Sequence, residues 1–187
     1  PLTAIRMAVE NLRGDLLPVD DRRAQADAAI AELIRLTRLF DAILDMARID
    51  AAVLPVRREW VTPADVVDAA VAHARPAMNA HALRVDADAG HIVNIDAQLA
   101  SVALAHLLEN AARYSPADRE ITVDARAADD ELTITVTDQG PGLDLSELDH
   151  LFERFYRGRR GQQTSPGTGM GLAITRGLMN ALGGRVW

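Results

Sequence analysis

Four short polar or glycine-rich segments follow one another in the second half of the chain, and their order constrains the fold more than any other feature. The first is the run His106–Ser115, which contains Asn110, and the second is Asp138–Gly142. An aromatic segment, Phe152–Tyr156, comes next, and a glycine-rich loop, Gly167–Leu172, then opens an apolar helix. Together these segments predict a nucleotide pocket, because they supply a polar helix face, a carboxylate on a glycine turn and exposed N–H groups at a helix start.

The composition excludes several other kinds of binding protein. The 187 residues carry a net charge of −7, whereas a nucleic-acid-binding surface needs a basic stripe. All 20 basic residues are Arg, so the Lys of a Walker A loop is absent, and so is every Cys that a zinc–thiolate site or a disulfide would need. No apolar run reaches the roughly 18 residues of a membrane-spanning helix, and no signal peptide is visible. The start at Pro1 is typical of a fragment of a longer protein.

Residues 1–54 are predicted to form a helical hairpin. Apolar residues of the first helix recur at steps of three and four, the spacing of a bundle seam: Leu2, Ile5, Val9, Leu12 and Leu16. The long second helix carries two neighbouring stripes: Ile30, Leu33, Thr37, Phe40, Leu44 and Ala47 in one, and Leu36, Leu39, Ile43 and Met46 in the other. The hairpin could lie on its own domain. A helix with two apolar stripes favours packing against two neighbouring helices, however, as in a dimeric four-helix bundle.

Residues 55–187 are predicted to form an α+β sandwich with helices on one face. Predicted strands cover residues 57–61, 83–86, 92–95, 121–125 and 132–138, with a last one at Arg185. Predicted helices cover residues 64–78, 97–114 and 169–182, and a short helix follows a cap at Ser146. Thr62 and Asp96 are expected to cap the first two of these helices.

The helix that carries Asn110 has one polar stripe. At 100° per residue, His106, Asn110 and Arg113 lie on one side, flanked by Glu109 and Tyr114. A neutral amide oxygen suits Mg²⁺, a guanidinium binds phosphate as a fork, and an aromatic ring lies against a base. An ordinary amphipathic helix with a solvated polar face would show the same pattern.

The other segments each allow two interpretations. Asp138, at a strand end, could accept a hydrogen bond from the amino group of adenine, with Gly140 and Gly142 allowing close approach, or could lie in a solvated turn. The aromatic residues at 152–156 could fill the core or anchor a mobile lid over residues 157–166, with Arg154 and Arg157 reaching phosphate.

Taken in this order and spacing, the four motifs closely resemble the catalytic, ATP-binding domain of sensor histidine kinases, in the GHKL ATPase superfamily. The run around Asn110 resembles the N box, the two glycine segments resemble the G boxes, and Phe152–Phe155 resembles the F box. Residues 1–50 resemble the hairpin for dimerisation and phosphotransfer, and Pro1–Thr3 matches the residues after the phospho-accepting histidine. The resemblance implies a Bergerat-type α/β sandwich after an all-α hairpin, with domains at 1–54 and 55–187.

The resemblance also implies ATP and Mg²⁺ as cofactors. Asn110 would hold the metal, and Asn110, Glu109 and Arg113 would form the catalytic group, Arg113 standing where Lys is usual. The residues it assigns to nucleotide binding are Asn110, Arg113, Tyr114, Asp138, Gly140, Gly142, Phe152, Arg154, Arg157, Gly167, Thr168, Gly169, Gly171 and Leu172.

The implied reaction transfers the γ-phosphate of ATP to a histidine and then to an aspartate of a response regulator. The expected partners are a second copy of the chain and a receiver domain, in the cytoplasm, with any membrane anchor outside this sequence. The acceptor histidine would precede Pro1, so this chain alone is not expected to autophosphorylate; His106 replaces the usual first Asn of the N box, and the final strands are missing. Two alternatives stay open: a GHKL ATPase that hydrolyses ATP, in which Glu109 could stand for the catalytic Glu, and a degenerate nucleotide-binding module.

Overall fold

The chain folds into two compact units, Pro1–Ala47 and Arg48–Trp187. The computed structural model describes residues 2–13, 18–51, 54–128, 131–158 and 168–187. The predicted domain boundary at residue 54 stays a prediction.

The first unit is helical, as predicted. Helix α1 spans Leu2–Arg13, and helix α2 spans Val19–Asp50 and continues past the unit boundary. Acidic Asp20 and Asp21 lie in the first turn of α2 and Arg48 in its last turn, which suits the helix dipole at both ends. Many large apolar side chains of these helices are exposed: Leu2, Met7, Val9, Ile30, Leu33, Ile34, Phe40, Ile43 and Leu44.

The second unit mixes helices and strands. Its elements are β1 (Glu59–Val61), α3 (Pro63–Ala74), β2 (Leu83–Ala87), β3 (Val93–Ile95), α4 (Ala97–Tyr114), β4 (Ile121–Ala128), β5 (Glu131–Thr137), a 3-10 helix (Leu145–His150) and α5 (Gly171–Leu182). Strands β1 and β3 pair antiparallel, with Trp60 opposite Asn94. In a three-stranded sheet, β4 lies between β2, which is parallel to it, and β5, which is antiparallel.

The core of this unit lies between α3, α4 and the three-stranded sheet. Along β4, buried Ile121, Val123 and Ala125 alternate with exposed Asp124 and Arg126, so one face of the sheet meets the helices and the other meets water. Buried residues of the two helices complete the core: Val67, Ala70, Ala74, Leu104, Ala105, Leu108 and Ala111. The predicted α+β sandwich after a helical segment is confirmed.

Both predicted N-caps are present. Thr62 and Asp65 form a capping box, in which each side chain accepts a hydrogen bond from the backbone N–H of the other residue. Asp96 is buried; it accepts from the Leu99 N–H at 3.0 Å and from the Arg57 N–H at 2.6 Å. Asp96 therefore starts α4 and also fixes the segment that leads into β1.

Several predicted element boundaries were wrong. The 3-10 helix begins at Leu145 with no side-chain cap among the described residues, so Ser146 does not cap it. Helix α3 ends at Ala74, because Pro76 has no N–H to donate to the next carbonyl group of the helix. Helix α5 begins at Gly171, since Gly169 has a φ of 69°, outside the helical region. The described residues 184–187 form no strand, so the strand predicted at Arg185 was also wrong.

Candidate nucleotide-binding site

Asp138 lies just beyond β5, where the chain turns beside the end of α4. Its Oδ1 accepts a hydrogen bond from the Gly140 N–H at 2.6 Å, and the Gln139 N–H donates to the Ser115 Oγ at 3.1 Å. The first contact holds the carboxylate in one orientation, and the second ties the turn to the residue that caps the C-terminus of α4. The Asp138 side chain stays exposed, so a ligand can reach it.

Gly140 is the residue that allows this close approach. A Cβ there would fall 2.7 Å from the Asp138 Oδ1, which is too short for a real contact, and 3.1 Å from the Tyr114 carbonyl oxygen, which is tight. Gly142 has a φ of 70°, a left-handed conformation that glycine adopts without strain. The two glycines therefore have different roles, one steric and one conformational.

The polar stripe of α4 faces out of the core. Asn110, Tyr114 and Glu109 are half-buried, and Arg113 is exposed. Among the described residues, the Asn110 amide makes no hydrogen bond to protein, which leaves its oxygen available to a ligand. The His106 Nδ1 lies 4.0 Å from a Glu109 carboxylate oxygen, farther than a hydrogen bond reaches.

Helix α5 begins beside the middle of α4. The hydroxyl of buried Thr175 lies 3.0 Å from the Gly171 carbonyl oxygen and 3.4 Å from the Ala103 carbonyl oxygen, which joins the two helices. A Cβ at Gly171 would lie 3.9 Å from the His106 Nδ1. No side chain caps α5 among the described residues, so the N–H groups of its first turn and its positive dipole end lie next to His106.

The aromatic segment contacts the middle of α5 and the residue that leads into it. Arg176 lies over the half-buried Phe152 ring at 5.7 Å, and a Cβ at Gly169 would lie 2.7 Å from the Tyr156 carbonyl oxygen. Exposed Phe155 has a φ of 63°, an uncommon conformation for a residue other than glycine. The backbone of Phe155 and Tyr156 thus packs directly against the residue that leads into α5.

His150 stabilises the same segment through its ring. Its Nδ1 lies 2.8 Å from a Glu153 carboxylate oxygen, and its ring centroid lies 5.7 Å from that of Tyr156. The hydrogen bond and the charge of Glu153 raise the pKa of His150 above its ordinary value, with a smaller contribution from Asp149. No sequence pattern marks this histidine as functional, because an exposed His–Glu pair three residues apart is common.

The structure brings the predicted site residues together in three groups. Asp138, Gly140 and Tyr114 meet at the C-terminal end of α4, and Gly171 meets His106 near its middle. Thr168, whose hydroxyl accepts from the Met170 N–H at 3.3 Å, and Gly169 lie beside the aromatic segment, and Leu172 is in the first turn of α5. Arg154 is exposed and Arg157 is half-buried, whereas Gly167 and the predicted lid at 159–166 lie outside the described residues.

The sequence motifs did not identify three residues that shape the site: Ser115, Thr175 and Arg176. Their side chains contact backbone or ring atoms of segments far away in the sequence, so local patterns carry little sign of them. Ser115 was the most accessible to prediction, because it ends the predicted helix before Pro116.

Two family profiles match the chain in tandem. Residues 1–52 match the His Kinase A (phospho-acceptor) domain, and residues 95–187 match the histidine kinase-, DNA gyrase B- and HSP90-like ATPase. The chain belongs to the sensor histidine kinases. The ATPase match supports ATP as the nucleotide for the site on α4, and the phospho-acceptor match disfavours a purely hydrolytic GHKL ATPase.

Curated histidine kinases are similar over the whole chain. The chain is 32% identical to the sensor protein KdpD of Escherichia coli, over 100% of this chain and 21% of KdpD. It is 34% identical to the histidine-protein kinase/phosphatase MprB of Mycolicibacterium smegmatis, over 98% of this chain and 38% of MprB. The chain therefore spans well under half the length of these relatives.

Solved histidine kinases share the fold. The Acinetobacter baumannii histidine kinase AdeS superposes with a TM-score of 0.73 at 18% identity, covering 97% of this chain and 84% of that one. A mycobacterial sensor histidine kinase, MprB, superposes with a TM-score of 0.55 at 28% identity, covering 68% of this chain and 81% of that one.

A metal ion at this site would find few protein ligands among the described residues. In the described part of the chain, no group of three or more His, Cys, Asp or Glu side chains is arranged to bind a metal ion. The half-buried Asn110 amide offers one neutral oxygen, and Mg²⁺ is usually bound by few protein ligands together with substrate phosphates.

Among the described helices, none has both the length and the apolar character needed to cross a membrane.

Proposed function

We propose that this chain is the catalytic core of a two-component sensor histidine kinase. Residues 55–187 bind ATP with Mg²⁺ and transfer its γ-phosphate to a histidine, which passes it to an aspartate of a response regulator receiver domain. The observation that carries the proposal is the geometry around Asp138, whose carboxylate is fixed by the Gly140 N–H beside the C-terminal end of α4. That arrangement suits the amino edge of adenine.

Each remaining group has a role that its position supports. Asn110, about 6 Å along α4 from Tyr114, offers an amide oxygen to Mg²⁺, and the metal when bound neutralises phosphate charge. Exposed Arg113 offers a guanidinium to phosphate, and the N–H groups at the start of α5 accept further negative charge. Phosphoryl transfer needs mainly this positioning and charge stabilisation.

The first unit supplies a dimerisation surface in this proposal. Ile30, Leu33, Phe40 and Leu44 recur along α2 at helical spacing and are exposed in the single chain. A second copy would bury these side chains in a four-helix bundle. The kinase core is expected to act in the cytoplasm, where its response regulator would be found.

Calorimetry with Mg-ATP tests the nucleotide site. Asn110→Ala should lower the affinity for Mg-ATP at least tenfold, because one charge-assisted contact contributes on that order. Asp138→Asn should weaken ATP much more than inorganic triphosphate, since its partner is the base. Equal losses for the two ligands would remove the adenine role of Asp138, and unchanged affinity in Asn110→Ala would remove the metal role.

Phosphotransfer needs an acceptor histidine and is tested on an extended chain. The relatives' segment that precedes Pro1 would be added, once with His and once with Gln at the acceptor position. Acid-labile phosphate from ATP should appear only in the His version. Release of inorganic phosphate at the same rate in both versions, without labelled protein, would support the hydrolytic alternative instead.

A further inference from the structure

The turn that carries Asp138 lies beyond the end of its sheet. The last pair of the β4–β5 ladder is Thr122 with Thr137, so the register of the sheet stops one residue before Asp138. The Gly140 N–H orients the Asp138 carboxylate, but Gly140 belongs to the same turn and moves with it. A further contact is therefore needed to fix the distance between this carboxylate and the end of α4.

Gln139 makes that contact at two points. Its backbone N–H donates to the Ser115 Oγ at 3.1 Å, and its side-chain Nε2 donates to the Glu120 carbonyl oxygen at 3.2 Å. The first bond joins the turn to the residue after α4, and the second joins it to the residue before β4. Water competes for the exposed Glu120 contact, whereas Ser115 is only 8% exposed. The Ser115 hydroxyl is therefore the stronger of the two anchors.

Ser115 is itself fixed at the end of α4. Its N–H donates to the Ala111 carbonyl oxygen at 2.9 Å, and Pro116 favours the extended backbone that Ser115 adopts. Tyr114, the preceding residue, carries the aromatic ring of the predicted site. Ser115 thus connects the two groups that would recognise a base, because it follows Tyr114 in the chain and holds the turn of Asp138 by a hydrogen bond.

We propose that Ser115 is a positioning residue for base selection: its hydroxyl holds Asp138 where the carboxylate accepts a hydrogen bond from the amino group of adenine. This rests on the proposed function, because it takes the base to lie at Asp138. Guanine presents a carbonyl oxygen where adenine presents its amino group, so a carboxylate in a fixed place disfavours guanine. Without the hydroxyl, the turn moves more freely relative to α4 and the carboxylate distinguishes the two bases less well.

Calorimetry with Mg-ATP, Mg-GTP and inorganic triphosphate tests this proposal on the whole chain. Ser115→Ala should lower the affinity for ATP about fivefold, because a single hydrogen bond contributes on that order. The preference for ATP over GTP should fall by a similar factor, and the affinity for inorganic triphosphate should stay within about twofold. Ser115→Thr, which keeps the hydroxyl and suits an extended backbone, should retain the wild-type preference.

Two controls separate positioning from a general loss of stability. Ser101 is another buried serine of α4, and its hydroxyl donates to the Gln98 carbonyl oxygen at 3.0 Å. Ser101→Ala removes a hydroxyl from the same helix away from the turn, so it should leave all three affinities unchanged. In an Asp138→Ala background, Ser115→Ala should not change the preference for ATP any further, because the carboxylate that it positions is absent.

The outcomes distinguish this proposal from the proposed function. A wild-type chain that binds none of the three ligands would overturn both. A wild-type chain that prefers ATP, with the same preference in Ser115→Ala, would overturn only the role of Ser115. Equal losses for all three ligands in Ser115→Ala would also overturn that role, since Ser115 would then act on the fold in general.

A second measurement does not depend on the folding of a variant. In proton–nitrogen spectra of the wild-type chain, the Gln139 backbone N–H should exchange with solvent more slowly when Mg-ATP is bound. The bound base and Ser115 would then hold the turn from two sides, so the bond to the Ser115 Oγ opens less often. Inorganic triphosphate, which has no base, should leave the exchange rate unchanged. Equal rates with the two ligands would contradict the proposal.

Discussion

Single residues explain why the turn after β5 contains glycine. At Gly140 a Cβ would fall 2.7 Å from the Asp138 Oδ1 and 3.1 Å from the Tyr114 carbonyl oxygen, so the carboxylate would have to leave its place. The motif could be recognised from the sequence, and with it the candidate ligand-binding residues of α4 and of the turn after β5. The partners that hold them could not, because the Ser115–Gln139 and Thr175–Ala103 contacts join residues far apart in the chain.

At the same scale, the ring of His150 should titrate above its ordinary pKa. The Glu153 hydrogen bond and charge favour the protonated ring. The pair therefore contributes its full stabilisation of the folded chain below pH 6.5, and this stabilisation is lost as the pH rises through the raised pKa. A pH titration followed by NMR should show the pKa of His150 falling towards 6.5 in Glu153→Gln. Glu120→Gln, which breaks the Arg84–Glu120 ion pair instead, serves as the control and should leave it unchanged. An equal pKa in Glu153→Gln and in wild type would show that Glu153 is not the cause.

Elements were predicted well where their ends carry a chemical signal. Thr62 with Pro63 and the buried Asp96 mark helix starts that depend on local hydrogen bonds, and both were recognised. The last helix was placed two residues early because Gly169 has a positive φ and packs against the backbone of Phe155 and Tyr156, which no local rule reveals. The strand predicted at Arg185 failed because strand formation needs a pairing partner as well as a suitable sequence.

Gly177, in the middle of α5, has a tertiary reason to be glycine. A Cβ there would fall 2.7 Å from the Ile49 Cγ2, and both residues belong to the second unit. Alanine gains about 1 kcal/mol of helix propensity, but crowding a packed contact costs about 1–3 kcal/mol. Gly177→Ala should therefore lower the free energy of unfolding, measured by urea denaturation.

The matched control removes the colliding side chain. In an Ile49→Ala background, Gly177→Ala should stabilise the chain by about 1 kcal/mol, because only the propensity gain remains. A double-mutant cycle gives the coupling between the two positions directly. Additive effects would show that the Ile49 contact does not explain the glycine.

At the scale of the whole molecule, α2 carries a large apolar surface that is exposed in the single chain. Phe40 is 59% exposed and Leu44 is 54% exposed, although their spacing matches a bundle seam. The second unit, in contrast, encloses an apolar core of its own. The hydrophobic pattern predicted the helices, which the structure confirms, and their need for a partner stays a prediction.

Light scattering tests whether that partner is a second copy. The wild-type chain should be a dimer at micromolar concentration, and Phe40→Glu with Leu44→Glu should shift it towards the monomer, because buried unpaired carboxylates are costly. Leu145→Glu, at a residue 85% exposed in the second unit, should leave the dimer intact. A wild-type monomer with folded helices would contradict the proposed bundle.

The parallel pairing of β2 with β4 also determines when the catalytic unit can assemble. Strand β2 has no neighbour in its sheet until β3, α4 and then β4 have been made, because its partners begin at Ile121. During synthesis, the N-terminal part of this unit therefore leaves the ribosome with an unpaired strand. Unpaired strand edges can associate with other chains. We therefore expect chaperones to shield the nascent chain until α4 and the rest of the sheet have emerged.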